Sequence, residues 1–211
     1  MTNLINRVYR LIDDCWISFT SKVGGGVINI NKEASMQLQF AYILNNAFDL
    51  IIYAPDEKVS LELETGISVD GRWREVDILI SMKKDNEFKY LPIEMKCYKT
   101  LASSGKKRGG ADLFMKDVYE DIHLLEKYSL GAGHLSGIQL TMTDMKNLVS
   151  PLKKITKNWD YDISHGYSII GGVVKTTPIG GKPVNISLLK DYTFNWTQIN
   201  KYYFLKLIAN S

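Results

Sequence analysis

The sequence predicts an α/β fold in which a central mixed β-sheet is flanked by helices. Three observations support this class. Apolar residues recur at helical spacing in residues 3–21, 31–51 and 111–128. Apolar and polar residues alternate in segments between these helices, which is typical of strands. A strand at 90–98 is followed by a helix and then by a strand at 136–142, the order that produces parallel pairing through a crossover.

Composition indicates an ordinary globular protein. Hydrophobic residues make up 45% of the chain and charged residues 23%, so neither a disordered nor a fibrous protein is expected. With 211 residues, we expect a single domain spanning residues 1–211. The net charge of +3 permits nucleic-acid binding without requiring it. No run of about 18 apolar residues and no signal-peptide pattern occurs, so we expect a cytoplasmic protein without membrane contact.

Two helices are predicted before the first strand. The N-terminal helix, residues 3–21, is amphipathic. The second helix, residues 31–51, has Asn31 as a candidate N-cap. Glu33 lies in its first turn, where a carboxylate stabilises the helix dipole by about 0.3–1 kcal/mol. The predicted buried stripe of this helix consists of Ala34, Leu38, Ala41, Phe48 and Ile51.

A β-hairpin is predicted from residues 58–69 and 74–81. Apolar and polar residues alternate in both segments, and Asp70 and Gly71 between them give a strong turn signal. We expect Glu64 to be a solvated residue at the edge of the sheet.

The strand at 90–98 carries the residues of greatest interest. Its apolar residues fall on one face, and Glu94 and Lys96 fall on the other, because successive side chains alternate. Glu94 and Lys96 therefore point the same way, about 7 Å apart along the backbone, and Asp77 on the preceding strand can meet them. A surface ion pair, worth about 0.2–1 kcal/mol, is one interpretation. The surrounding apolar run indicates a central strand, where ionised groups are costly unless they are paired or bind a metal.

The second half of the chain begins with a small, glycine-rich and basic loop at residues 99–110. The clearest amphipathic helix follows at 111–128. A short helix is predicted from Pro151, whose position favours a helix start. Further strands are predicted at residues 167–175 and 192–196. The type of the last apolar segment, residues 201–209, stays open, and its aromatic residues slightly favour a strand over a helix.

Asp77, followed after sixteen residues by Glu94, Met95 and Lys96, resembles the bipartite signature of the PD-(D/E)xK, or restriction-endonuclease-like, nuclease superfamily. The order of helix, hairpin, motif strand, long helix and strand is also that of the family core. Val76 and Asp77 stand where Pro and Asp are the usual pair. The resemblance covers about residues 31–142 and implies a restriction-endonuclease-like core. The N-terminal helix and an extra C-terminal β segment within 143–211 would be additions to it.

The resemblance implies a metal-dependent endonuclease that hydrolyses phosphodiester bonds of DNA, in restriction, defence or DNA processing. Asp77, Glu94 and the Met95 carbonyl would hold Mg²⁺, for which Mn²⁺ can substitute, and Lys96 would orient water or stabilise charge on phosphorus. A Glu on the first core helix often faces the metal in this family, so Glu33 has this interpretation beside the helix-dipole one. Glu64 is the alternative if Glu33 lies too far away.

Substrate contacts are expected from two segments. In the loop, Lys106, Lys107 and Arg108 either bind phosphates, together with Lys99, or are simply solvated; such a loop is expected to order only on nucleic acid. At the start of the following helix, the resemblance suggests substrate contacts by Lys116 and Tyr119, against an interpretation of surface charge and packing. RNA stays open as a substrate, and a homodimer is plausible for a duplex cutter. A non-catalytic nucleic-acid- or protein-binding module, or a subunit active only in a complex, is the alternative.

Overall fold

The computed structural model describes residues 1–102 and 104–209. Its helices are α1 (Thr2–Gly24), α2 (Glu33–Ala47), α3 (Ala111–Tyr128) and α4 (Lys146–Val149), with 3₁₀ turns at Phe48–Ile51 and Lys157–Tyr161. Its strands are β1 (Glu57–Val69), β2 (Arg72–Lys84), β3 (Glu87–Tyr98), β4 (Ile138–Thr143), β5 (Ser168–Ile169), β6 (Val173–Lys175), β7 (Ile186–Leu188), β8 (Tyr192–Thr193), β9 (Thr197–Ile199) and β10 (Tyr202–Ile208). Among the described residues, no helix has the length and apolar character needed to cross a membrane.

The fold is α/β, with a six-stranded mixed sheet in the order β1-β2-β3-β4-β10-β9. This architecture confirms the predicted class. β3 is a central strand, antiparallel to β2 and parallel to β4. Asp70 and Gly71 form the predicted turn between β1 and β2 with φ angles of 51° and 73°, the left-handed conformation that two-residue hairpin turns require. The pairing of β2 with β3 ends at Ile78 and Ile93, beyond which the two strands separate.

Helices cover both faces of the sheet. One face packs against α1 and α2, and it includes the apolar side chains of β3 at Leu91, Ile93, Met95 and Cys97. The other face packs against α3 and the C-terminal segment, where Tyr98 of β3 contacts Phe114. The alternation predicted for β3 is therefore observed, and Glu94 and Lys96 lie on the face that α3 covers.

The buried stripe of α2 differs from the prediction. Ala34 and Leu38 are exposed, and the stripe consists of Met36, Phe40, Ala41 and Leu44, with Phe48 and Ile51 in the turn that follows. Phe40 packs edge-on against Trp16 and Phe19 of α1 at ring-centroid distances of 5.6 and 5.8 Å. The aromatic contact with α1 sets the rotation of α2. The N-cap is Lys32 rather than Asn31.

The C-terminal segment contributes to the main sheet. β10 pairs with β4, so the segment 201–209, whose type the sequence left open, is a strand. The helix predicted from Pro151 is wrong, since only a 3₁₀ turn at Lys157–Tyr161 follows. Leu152 and Ile155 are 94% and 84% exposed, so the apolar stripe that such a helix needs has no surface to pack against. The strand expected at 167–175 is divided into β5 and β6.

Two buried carboxylates outside the sheet centre are fully hydrogen-bonded. Glu57 contacts Arg7, Lys84 and the Tyr53 N–H, and the Arg7 hydrogen bond chiefly lowers the pKa of Glu57 to about 2. Glu126 of α3 accepts from Tyr192 and from two backbone N–H groups of the C-terminal segment. Both carboxylates therefore connect separate elements of the fold.

Candidate functional site

The separation of β2 from β3 leaves backbone donors of β3 without a partner strand on that side. Carboxylates satisfy them. The Met95 N–H donates to Asp77 Oδ2 at 2.5 Å, and the Cys97 N–H donates to Glu33 Oε2 at 3.1 Å. Asp77 from β2 and Glu33 from the first turn of α2 are thereby fixed beside the C-terminal half of β3.

Lys96 lies at the centre of this group. Its Nζ is 3.3 Å from Glu33 Oε1 and 3.3 Å from Asp121 Oδ2. Burial by itself lowers the pKa of Lys96, but the surrounding carboxylates, Asp121 and Glu33 first among them, raise it overall. The lysine is therefore an ammonium held among carboxylates.

Glu94 lies deeper, between β3 and α3. The residue is 4% exposed, and its carboxylate accepts one hydrogen bond, 3.2 Å long, from Tyr128 Oη. Burial, followed by the charges of Asp121 and Asp77, raises the pKa of Glu94 well above its usual value, against the opposing charge of Lys96. Unlike Glu57 and Glu126, this carboxylate has a single hydrogen-bond donor within residues 1–102 and 104–209.

The cluster has more carboxyl groups than cationic side chains. Burial chiefly raises the pKa of Asp77 to about 6, although the Met95 N–H and Lys96 oppose the shift. Burial likewise raises the pKa of Asp121 to about 7, again against Lys96. With Glu94 and Glu33, four carboxyl groups surround one ammonium. A bound cation would stabilise their ionised forms.

Gln37 and Glu64 support Asp77 from the opposite side. Gln37 Nε2 donates to Glu64 Oε1 at 2.8 Å and to the Asp77 carbonyl at 2.7 Å. Glu64 lies opposite Asp77 in the hairpin, where the pairing of β1 with β2 is interrupted, and has a left-handed φ of 51°. The exposure predicted for Glu64 is observed, but its side chain reaches the site through Gln37, a residue that sequence reasoning missed.

An open cleft of about 290 Å³ gives access to the outer part of the cluster. Glu33, Lys96 and Arg108 line it together with the start of α3. The Arg108 guanidinium lies 5.4 Å from the centre of the Tyr98 ring, a cation–π distance. The structure thus brings one of the three basic loop residues to the same cleft as Lys96.

Backbone hydrogen bonds link the two sides of the basic loop. Arg108 N donates to the Thr100 carbonyl at 2.8 Å, and Ala102 N donates to the Lys106 carbonyl at 2.8 Å. Ser103 lies outside the described residues. Lys106 and Lys107 are exposed and do not line the cleft.

Three other predicted substrate contacts have partners within the protein. Lys99 Nζ donates to the Ile30 carbonyl at 2.7 Å and so ties the end of β3 to the segment before α2. Lys116 pairs with two carboxylates of its own helix, both at 2.9 Å. Tyr119 is fully buried, and its hydroxyl donates to the Asp162 carbonyl at 2.7 Å. Of the two interpretations given for Tyr119, its burial favours packing.

Asp121 and Gln139 belong to the cluster but were not recognised in the sequence. Asp121 lies beside Ile122 within the apolar stripe of α3, and both residues are buried. A carboxylate within an apolar helix stripe is the signal that could have revealed it. Gln139 is paired with Glu94 across the parallel strands and donates to Asp121 at 3.2 Å.

The donor types suit a hard divalent cation, since all are carboxylate or carbonyl oxygens. Within residues 1–102 and 104–209, however, no three His, Cys, Asp or Glu side chains converge closely enough to hold a metal ion as they stand. The Asp77 carboxylate is directed to the Met95 N–H, and that of Glu33 to Lys96 and the Cys97 N–H. Metal binding would require these carboxylates to turn.

Comparison of the chain with models of protein families, with curated proteins and with solved structures gave no match. The chemistry of the cluster and its cleft therefore carries the functional conclusion.

Proposed function

We propose that this protein is a metal-dependent nuclease that hydrolyses phosphodiester bonds of DNA, most simply as an endonuclease. One observation carries the proposal. Asp77, Glu94 and Lys96 meet on one face of a central strand, with two further carboxylates around the lysine. The resemblance of these residues to the PD-(D/E)xK signature supports the same activity.

The charge of the cluster supports a metal requirement. Asp77 and Asp121 have pKa values raised to about 6 and about 7, mainly because burial penalises their ionised forms. Ionised carboxylates in such a position are usually compensated by cations. Asp77, Glu94 and the Met95 carbonyl would hold Mg²⁺ or Mn²⁺, with Glu33 completing the set.

The bound ion would polarise a phosphoryl oxygen and lower the pKa of a coordinated water. Lys96 contributes a fixed positive charge beside the reacting phosphate, where negative charge grows in the transition state. Arg108 lines the same cleft, and a guanidinium matches the geometry of a phosphate group. Together these groups bind and orient a phosphodiester.

The test is cleavage of supercoiled plasmid and of labelled single- and double-stranded DNA and RNA, with Mg²⁺, Mn²⁺ or EDTA. Metal-dependent cleavage that disappears in Lys96→Ala, while this variant stays folded, supports the proposal, and the products distinguish endonuclease from exonuclease action. Lys58→Ala is the matched control, because Lys58 is an exposed lysine on β1 outside the cleft. Absence of cleavage with every substrate and metal contradicts the proposal for the isolated chain. Sedimentation of the same sample tests whether the chain forms the homodimer that is plausible for a duplex cutter.

A second candidate is a nucleic-acid-binding module without catalysis. The observation that favours it is the pairing of Glu33 with Lys96, together with the lack of three converging ligand side chains in the described residues. Calorimetry with Mn²⁺ separates the two candidates. The nuclease binds Mn²⁺ and loses this binding in Asp77→Asn, whereas the module binds DNA equally well in EDTA.

A further inference from the structure

Lys96 is held between an outer and an inner carboxylate. The Glu33 side chain is 38% exposed and lines the cleft, whereas the Asp121 side chain is only 9% exposed. Both lie 3.3 Å from Lys96 Nζ. A cation or substrate in the cleft can therefore reach Glu33 and compete for it, while Asp121 is shielded from such competition.

Asp121 is anchored to the strands beneath it. Gln139 Nε2 donates to Asp121 Oδ2 at 3.2 Å, the same oxygen that contacts Lys96. The same Nε2 lies 3.2 Å from Thr141 Oγ1. Gln139 and Thr141 are the β4 partners of Glu94 and Lys96 in the parallel pairing. The carboxylate that holds Lys96 is thus positioned from the strand adjacent to Lys96 itself.

The Gln139 amide makes this contact through its nitrogen, and its oxygen is left without a donor within residues 1–102 and 104–209. The residue is fully buried. A buried acceptor without a donor destabilises the folded state. An apolar side chain of similar size would avoid that cost. The contact with Asp121 is therefore the reason we infer for an amide at this position.

We infer that Asp121 is a positioning residue, which keeps the Lys96 ammonium directed at the cleft when Glu33 turns to another partner. Glu33 is then the exchangeable partner of Lys96, and Asp121 is the permanent one. The consequence for catalysis rests on the proposed nuclease function. The orientation of Lys96 is independent of the nuclease function, so it can be measured without any cleavage.

The direct measurement is the proton–nitrogen NMR signal of the Lys96 ammonium, identified by its loss in Lys96→Arg. Asp121→Asn removes the inner negative charge and keeps the size of the side chain. We expect exchange of the ammonium protons with water to become at least about 10-fold faster, because one of the two ion pairs that protect the ammonium is lost. An unchanged Lys96 signal in this variant overturns the inference.

Asp13→Asn is the matched control. Asp13 lies on α1 and pairs with Lys206 on β10, so it is also a helix carboxylate paired with a strand lysine. Its replacement should leave the Lys96 signal unchanged. If Asp121→Asn does not fold, Asp121→Glu tests the same point, because it preserves the charge and moves the carboxylate by one methylene. A shifted Lys96 signal is expected there, and a wild-type signal overturns the inference.

Cleavage kinetics provide the second readout. In Asp121→Asn we expect kcat to fall about 10- to 100-fold with KM changed less than about 3-fold, since the residue does not touch substrate. If wild-type protein cleaves nothing while Asp121→Asn speeds the exchange of the Lys96 ammonium protons, the nuclease proposal fails and the positioning role stands. If wild-type protein cleaves and the Lys96 signal is unaffected by Asp121→Asn, the reverse holds.

Discussion

Asp77 accepts the backbone N–H of Met95 at the point where β2 leaves β3. The carboxylate thereby substitutes for the strand partner that Met95 lacks on this side. Asp77 thus has a role in the backbone hydrogen bonding of the central strand as well as a proposed role in metal binding. Suitable substitutions separate the two roles.

Asp77→Asn should remove cleavage without loss of stability. The amide oxygen can still accept from Met95, while the buried charge is gone. In metal-free buffer at pH 8 we therefore expect a gain of about 1–2 kcal/mol in the free energy of unfolding, since the pKa of Asp77 is raised to about 6. Asp77→Ala lacks the acceptor and should be less stable than Asp77→Asn by about 1–3 kcal/mol. Urea denaturation measures both, and equal stability of the two variants would contradict the backbone role.

Replacing Lys96 alone should destabilise the fold. Lys96→Met leaves Asp121 without its counter-ion, and an unpaired buried charge costs about 3–5 kcal/mol. The double variant Lys96→Met with Asp121→Leu removes both charges and should recover most of that loss. Neither variant should cleave DNA. Recovery of less than about a third of the stability would show that the two residues are not energetically coupled.

The pH dependence of stability follows from the site carboxyl groups. The pKa values of Asp77 and Asp121 are raised from 3.8 to about 6 and about 7, so the folded state binds protons more tightly than the unfolded chain. Their contribution is full below pH 3.8 and is lost as the pH rises through 6 and 7. The pKa of Glu57 is lowered to about 2, so its contribution is full above 4.5 and is lost as the pH falls.

In EDTA, the free energy of unfolding should therefore be greater near pH 5 than at pH 8. Urea denaturation at pH 5, 6.5 and 8 measures this slope. Asp121→Asn should flatten it, because the group with the higher pKa is removed, and Mn²⁺ should also flatten it if the ion binds the ionised carboxylates. A steeper slope in Asp121→Asn would show that the pKa of Asp121 is not raised.

Arg108→Ala should weaken DNA binding more than catalysis. Arg108 lines the cleft, so its loss removes one phosphate contact, which should reduce the dependence of log Kd on log salt by about 1. The kcat at saturating DNA should change little. Fluorescence anisotropy over a range of salt concentrations measures the slope, with Lys58→Ala as the control. A lowered kcat with unchanged binding would place Arg108 in the chemistry instead.

The main elements of the fold were accessible from periodicity. The helix predicted at 111–128 has the observed bounds of α3, and the hairpin turn at Asp70 and Gly71 follows directly from turn chemistry. The alternation along 90–98 correctly separated the apolar face from the face of Glu94 and Lys96. These features depend on local sequence, where the side-chain period of a strand or a helix is the dominant signal.

The predictions from sequence fail where tertiary contacts determine which residues are buried and which residues meet. The burial of Met36 and Phe40 rather than Ala34 and Leu38 depends on the aromatic side chains of α1, which periodicity within α2 does not reveal. The position of Asp121 beside Lys96 depends on how α3 crosses the sheet. A helical pattern gives the buried face of α3 but not the strand residues beneath it, so this member of the site requires the structure.

Glu64 has consequences for the evolution of stability. A left-handed backbone at a residue other than glycine costs about 1–2 kcal/mol, and here it occurs directly opposite Asp77. Selection for thermostability alone would favour glycine or asparagine at this position. Selection that retains the contact of Glu64 with Gln37 favours the strained residue. Directed evolution for stability should therefore select a different residue at position 64 than directed evolution for activity.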